Sequence, residues 1–319
     1  VLPSPLARLV DAALEATIVP SFSRLGPSVR RRTAGWTELA PGALAGRTVV
    51  VTGATSGLGA EIARASAALG AHAVVVGRNP ERGAGVVDQI AAAGGTARFE
   101  PADLTDLDAV RDLADRLAAP EVAGTDGRLH AIVHNAGALL PSRQVGSSGL
   151  EATWATMVVA PHLLTRRLAD RVDRAIWMSS GGMYLQALDL DDWGWERRAW
   201  DGTRAYAQAK RAQIDLVAEA TERGEAPLQV AMHPGWADTP GVDDALPGFA
   251  KAMGPLLRSA AEGADTAVWL TAAERTELRA GAFYLDRRPR GTVRWPGTAT
   301  SPEDRRQLRA LVDGQAGTG

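Results

Sequence analysis

Two scarce side-chain types stand four residues apart in this chain. The 319 residues hold three tyrosines (Tyr184, Tyr206 and Tyr284) and, among 35 basic residues, two lysines (Lys210 and Lys251). In Tyr206-Ala207-Gln208-Ala209-Lys210 one of each falls at i and i+4, which places both on one face of a helix. An ammonium beside a phenol favours the phenolate and draws tyrosine down from its free pKa of about 10 toward a value suited to proton transfer. Arginine occupies nearly every other basic position, so lysine at 210 is informative. It is a compact point charge that can reach ribose hydroxyls, whereas a guanidinium prefers a planar, bidentate partner. A third group, able to polarise a carbonyl, is Ser180. It closes Arg174-Ala175-Ile176-Trp177-Met178-Ser179-Ser180, which reads as a strand ending in two hydroxyls where open α/β sheets bind ligands.

A second constellation lies near the start. Thr48-Val49-Val50-Val51-Thr52 reads as a strand, and Gly53-Ala54-Thr55-Ser56-Gly57-Leu58-Gly59 follows before an Ala-rich helical run. Glycines at such a junction let backbone N–H groups approach a pyrophosphate at a helix N-terminus. The spacing is Gly-x-x-x-Gly-x-Gly. About 20 residues further on, where a carboxylate would hold an adenosine 2′-hydroxyl, the next strand ends in Gly77-Arg78-Asn79 instead. Arg78, with Ser56, suits a 2′-phosphate, so NADP(H) is expected in preference to NAD(H).

These groups need a scaffold. Strands are expected at 48–52, 72–77, 96–100, 129–134, 174–178, 228–233 and 282–285. Amphipathic helices are expected at 58–69, 107–117, 151–172, 205–222 and 260–273. This alternation predicts an α/β fold: a Rossmann-type, doubly wound parallel sheet of about seven strands, with helices on both faces. Apolar runs such as Val74-Val75-Val76 suit strands buried on both sides. One domain over 45–290 is expected, with an N-terminal helical arm at 1–44 and a loosely held tail at 291–319. The arm is expected to pack an apolar stripe containing Leu6, Leu9, Val10, Leu14 and Ile18 on the domain; Arg24 and Arg30 to Arg32 also suggest weak peripheral membrane contact.

The composition narrows the chemistry. With no cysteine, disulfides, thiolate-bound zinc, iron–sulfur clusters and thiol nucleophiles are ruled out. A formal charge of −2 gives no pull toward nucleic acid, and no apolar run approaches the roughly 20 residues needed to cross a bilayer. His130 and His134 have metal-like spacing but lie in an expected strand, where they do not converge as they would on a helix. No metal is expected, and the location expected is the cytoplasm.

Taken together, the motifs over roughly 45–290 resemble those of the short-chain dehydrogenase/reductase family. Thr52-Gly53, Gly57 and Gly59 are similar to its cofactor turn, Asp103-Leu104 to its adenine-contacting pair and Asn135-Ala136-Gly137 to its fourth-strand motif. Ser180, Tyr206 and Lys210 match its catalytic set, and Pro234-Gly235 with Thr239 match the segment that holds the nicotinamide. The resemblance implies cofactor contacts from Gly53, Thr55, Ser56, Gly57, Leu58, Gly59, Arg78, Asp103, Leu104, Asn135, Ala136, Gly137, Tyr206, Lys210, Pro234, Gly235 and Thr239. It also implies a catalytic set of Ser180, Tyr206 and Lys210, with Asn135 bracing the sheet around them. A closer likeness, to the subgroup of dehydrogenase/reductase family member twelve, runs through Ser179-Ser180-Gly181-Gly182-Met183 and Met232-His233-Pro234-Gly235-Trp236. Pairing into dimers or tetramers through the helices at 151–172 and 205–222 is a further implication, unless the arm covers that face. One departure stands out. Where the family often carries an asparagine that helps hold a proton-relay water, this chain has Met157, which makes no useful hydrogen bond.

Ser180 and Tyr206 are 26 residues apart, about twice the family's spacing, so an insertion at 181–203 is expected over the site. Its Trp193, Trp195 and Trp200, with Trp236, either line an apolar pocket or fasten the insertion to the domain. The activity expected is hydride transfer between a nicotinamide and the carbonyl or alcohol of a bulky hydrophobic substrate. The alternative is a catalytically weak or inactive NADP(H)-binding scaffold.

Overall fold

The computed structural model describes residues 4–123, 127–137, 139–238, 248, 251 and 253–318. Its centre is an eight-stranded sheet in the order β3-β2-β1-β4-β5-β6-β7-β8. The strands are β1 (Thr48–Thr52), β2 (His72–Gly77), β3 (Thr96–Pro101), β4 (Leu129–His134), β5 (Val172–Met178), β6 (Leu228–Met232), β7 (Phe283–Leu285) and β8 (Arg288–Arg290). All neighbours are parallel except β7 and β8, which pair antiparallel through a two-residue turn, Asp286-Arg287. The eighth strand is the one addition to the expected seven. Chain order reverses between β1 and β4, and the carboxyl ends of the strands open into a crevice there.

Every residue of β1 and β4 is buried, as β-branched strands covered on both faces require. One face packs on α6 (Leu107–Leu117), on a rod made of Ala152–Trp154, a π-helical turn Ala155–Val159 and Ala160–Arg167 (together α7), and on α8 (Gly202–Glu222). The other face packs on α4 (Gly57–Ala68), α5 (Pro80–Ala92) and α9 (Ala260–Ala272). Side-chain caps mark the helix starts: Asn79 accepts from the Arg82 N–H, Asp106 from Asp108 and Asp201 from Arg204, and Ser259 with Glu262 closes a capping box.

The two ends of the chain depart from expectation. Residues expected as a loose tail form α10 (Pro302–Ala316), opened by a Ser301–Asp304 capping box, with Leu308, Val312 and Ala316 fully buried against α7 and α8. Trp154 Nε1 donates to Gln315 Oε1 at 2.9 Å, and Arg309 pairs with Glu225 at 2.7 Å. The reason is helical periodicity: Leu308, Leu311 and Val312 form a short apolar stripe behind Ser301-Pro302, a stop-and-start signal outweighed by the glycines around it. This helix occupies the α7–α8 face through which pairing was expected, so association there would have to displace it.

The arm comprises α1 (Ser4–Glu15), α2 (Ile18–Phe22) and α3 (Leu25–Ala34). It does dock, but by charge more than by the expected stripe. Leu6 and Leu9 face outward at 46% and 68% exposure, while Asp11 is buried and accepts hydrogen bonds from Arg30, Arg288 and Arg290. Arg30 and Arg258, both 1% exposed, share the equally buried Asp286. Buried charges persist only when paired in this way. No helix among the described residues is long and apolar enough to cross a membrane.

Candidate active site

The glycine turn is shaped by close backbone approach. Gly53 has φ 64°, and a Cβ on it would lie 2.7 Å from the Ala136 Cα. A Cβ on Gly59 would lie 2.4 Å from the Gly53 carbonyl and 2.5 Å from Asn135 Nδ2. The α4 N-terminus, with Ser56 as N-cap, therefore abuts the end of β1 and presents its unpaired N–H groups to the crevice. Leu58 packs behind the turn on the apolar core.

Asn135 ties this turn to β4. Its Nδ2 donates to the Thr52 and Gly53 carbonyls at 3.0 and 3.1 Å, and the Ala136 N–H donates to Thr52 Oγ1 at 3.2 Å. Its role is to brace the strand ends. Gly137 leaves room for the Met157 thioether, which lies 3.1 Å from where a Cβ would stand. Arg78 is exposed at the end of β2. Asp103 accepts from the Thr105 N–H and Oγ1 through one oxygen, Oδ1, at 2.9 Å, and Leu104 is buried beside it. Two arginines that sequence reading passed over, Arg64 and Arg82, line a cleft of about 290 Å³ beside Thr55, Ser56 and Gly57. Arg82 lies in the first turn of α5, capped by Asn79, a helix the sequence reading did not place.

Ser180, Tyr206 and Lys210 converge where the end of β5 meets the first turns of α8. Ser179 Oγ donates to the Lys210 carbonyl at 2.8 Å and is thereby structural, which leaves Ser180 as the hydroxyl facing Tyr206. Lys210 Nζ donates to the Met178 carbonyl at 2.5 Å and sits 5.3 Å from the Tyr206 ring centre. Burial raises the Tyr206 pKa, against the hydrogen bond from Ser180, which lowers it. Burial also pulls the Lys210 ammonium down to about 7. The expected lowering of the phenol by the lysine does not appear: the phenol is raised and the ammonium lowered, because a low dielectric penalises both charged forms. The residues suit a dinucleotide. The glycine turn is open to phosphates, and Lys210 uses one of its three N–H groups on the protein, with Tyr206 beside it, where a ribose would lie.

After β6, Pro234 and Gly235 bend around Arg258, whose guanidinium lies 2.1 Å from where a Gly235 Cβ would be. Arg258 donates to the Phe22 and Pro234 carbonyls at 3.0 and 3.2 Å and so ties the arm to this segment. Its spacing carried no motif, and sequence reading missed it. Thr239 lies outside the described residues. Phe22 of the arm reaches the site as well. It meets His233 edge-on at 4.5 Å and Trp236 at 5.8 Å, and its ring leaves no room for a side chain at Gly181, next to Ser180. Of the insertion's tryptophans, Trp195 is buried under the Arg198 guanidinium at 3.7 Å, Trp193 packs on Trp154, and Trp200 donates to the Leu140 carbonyl. The Trp193 and Trp200 contacts fasten the insertion to the domain, and the Arg198–Trp195 stack holds the insertion to itself.

A parallel sheet with a glycine turn at its switch point and a Ser–Tyr–Lys cluster beyond its fifth strand defines a nicotinamide-dependent oxidoreductase. The family model described as short chain dehydrogenase matches residues 47–181. Over 251 residues the chain is 39% identical to the "Putative daunorubicin C-13 ketoreductase DnrU" of Streptomyces sp. strain C5, covering 77% of this chain and 85% of that one. It is 38% identical over 198 residues to "Dehydrogenase/reductase SDR family member 12" of Homo sapiens, covering 60% of this chain and 62% of that relative. The chain thus matches just under two thirds of the length of that human relative. A crystal structure of an uncharacterised protein from Mycobacterium paratuberculosis superposes with a TM-score of 0.71 at 27% identity, covering 89% of this chain and 98% of the other. The chain belongs to the short-chain dehydrogenase/reductase family, and it is similar to the member-12 proteins over part of their length.

Proposed function

We propose that this protein is an NADP(H)-dependent reductase of a bulky hydrophobic ketone or aldehyde. The observation that carries the reading is the convergence of Ser180, Tyr206 and Lys210 beside the glycine turn. A bound nicotinamide would supply hydride chemistry at the carbonyl carbon. Ser180 and Tyr206 hold the carbonyl oxygen, and the Tyr206 phenol gives it a proton as the C–H bond forms. Lys210 holds the ribose and favours the phenolate that remains. Asn135 ties the end of β1 to the segment after β4.

Support for NADP(H) comes from Arg78 at the end of β2, Ser56 at the turn, and Arg82 in the adjoining cleft. Support for a bulky apolar substrate comes from Phe22, Trp236 and Tyr184 around Gly181, and from a relative named as a putative daunorubicin C-13 ketoreductase. The test is NADPH oxidation over a panel of carbonyl compounds. Tyr206→Phe is expected to lower kcat by about 10²–10⁴, and Arg78→Ala to weaken NADPH more than NADH. Tight NADPH binding with no Tyr206-dependent turnover would replace this reading with a scaffold.

A further inference from the structure

Two polar groups on one stripe of α8 have complementary deficits. Lys210 is 3% exposed, and one of its three N–H donors goes to the Met178 carbonyl. Gln213, nearly one turn further along, is fully buried. Its Nε2 donates to the Met157 carbonyl at 2.8 Å, and its Oε1 has no partner among the described residues. Met157 lies in the π-helical turn Ala155–Val159, where the widened ladder offers carbonyls to side chains.

A buried carboxamide oxygen without a donor is costly, so such atoms are ordinarily held by an internal water with two to four polar partners. Residues at i and i+3 on a helix have Cβ atoms about 5–6 Å apart, a gap that one water spans between long side chains. We propose that Gln213 is a positioning residue for the catalytic lysine. Its nitrogen anchors it to the Met157 carbonyl, and its oxygen holds a water that also accepts from the Lys210 ammonium. Lys210 stays solvated, and therefore charged, while buried behind Tyr206. In this way the helix seam supplies what the Met157 thioether cannot. The inference rests on the reading of Tyr206 and Lys210 as the proton-transfer pair. Burial pulls the ammonium toward neutrality, and Tyr206, 5.3 Å away at its ring centre, is the titratable group that faces it.

The two lysines of the chain make the test direct. In cofactor-free protein labelled with ¹³C-lysine, the Lys210 Cε resonance is followed against pH, with exposed Lys251 as the internal signal and Lys251→Arg as the assignment control. Gln213→Met keeps the shape and removes the acceptor. It is expected to lower the Lys210 midpoint by about one unit, and with NADPH to lower kcat about tenfold at unchanged KM for both substrates. Gln213→Glu is expected to raise the midpoint. A Lys210 midpoint unmoved in both folded variants overturns the proposal, whatever the turnover. Should Gln213→Met fail to fold, the direction in Gln213→Glu decides, and an unmoved or lowered midpoint overturns it. Shifted midpoints in a protein without Tyr206-dependent turnover uphold the role of Gln213 and sink the reductase reading instead.

Discussion

The nucleotide end and the substrate end of the crevice are built by different means. At the nucleotide end the defining contacts are between backbone atoms and a few small residues: Gly53 against Ala136, Gly59 against the Gly53 carbonyl, Asn135 on Thr52 and Gly53. At the substrate end large side chains from remote parts of the chain meet. Phe22 abuts Gly181, His233 and Trp236, while Arg258 joins the Phe22 carbonyl to Asp286, which in turn holds Arg30. Backbone recognition leaves little room for variation, because added atoms collide with other backbone. Side-chain assembly leaves room, and substrate choice can change there while cofactor binding stays intact.

The sharpest way to break this contrast is Gly59→Val. The new Cβ would overlap the Gly53 carbonyl, so NADPH affinity is expected to fall at least a hundredfold, about 2.7 kcal/mol, as read by isothermal titration. A loss below tenfold would show that the turn yields and that close approach is not what defines it. Leu308→Ala is the counterpart control, in a region away from both ends of the crevice. This fully buried side chain of α10 is expected to be worth about 2–5 kcal/mol of stability by denaturant unfolding, with NADPH affinity unchanged. A parallel loss of affinity would mean that the nucleotide end is coupled to α10 through α7 and α8.

The smallest effect is a pH dependence. Asp313 of α10 is held down to about 2: burial acts to raise it, and the hydrogen bond from His162 and the charge of Arg309 more than offset this. Its folded pKa lies below the free value, so the ionised form stabilises the fold. That contribution is complete above about pH 4 and is lost as pH falls through 2. The Tm gap between wild type and Asp313→Asn should therefore be widest near neutrality and close on acidification. A gap that persists at pH 2 would assign the effect to packing.

Legibility in the sequence follows the same division. The order of strands β1 to β7, the glycine turn and the Ser–Tyr–Lys set could be read because each rests on local periodicity or on spacing within one element. The arm was read as an apolar stripe, yet Leu6 and Leu9 face outward while the charged Asp11 is buried, because its partners Arg288 and Arg290 lie some 280 residues away. The tail was read as loose although Leu308 and Val312 close the core. The insertion's tryptophans were ambiguous as sequence, since an indole that lines a pocket and one that fastens a loop look alike until Trp193 is seen on Trp154 and Trp200 on the Leu140 carbonyl.

The sequence by itself determined the reaction class. A lone Tyr-x-x-x-Lys pair, a hydroxyl at a strand end and glycines between strand and helix specify their chemistry through residue type and short-range geometry. Only the tertiary structure decided how the pair is supported and enclosed. Gln213 meets Met157 across a helix seam 56 residues apart in the chain, and Phe22 comes to the catalytic edge from the far N-terminal arm. Such contacts depend on packing and on the pairing of buried charges, which are settled when the whole chain closes and leave no local pattern to read.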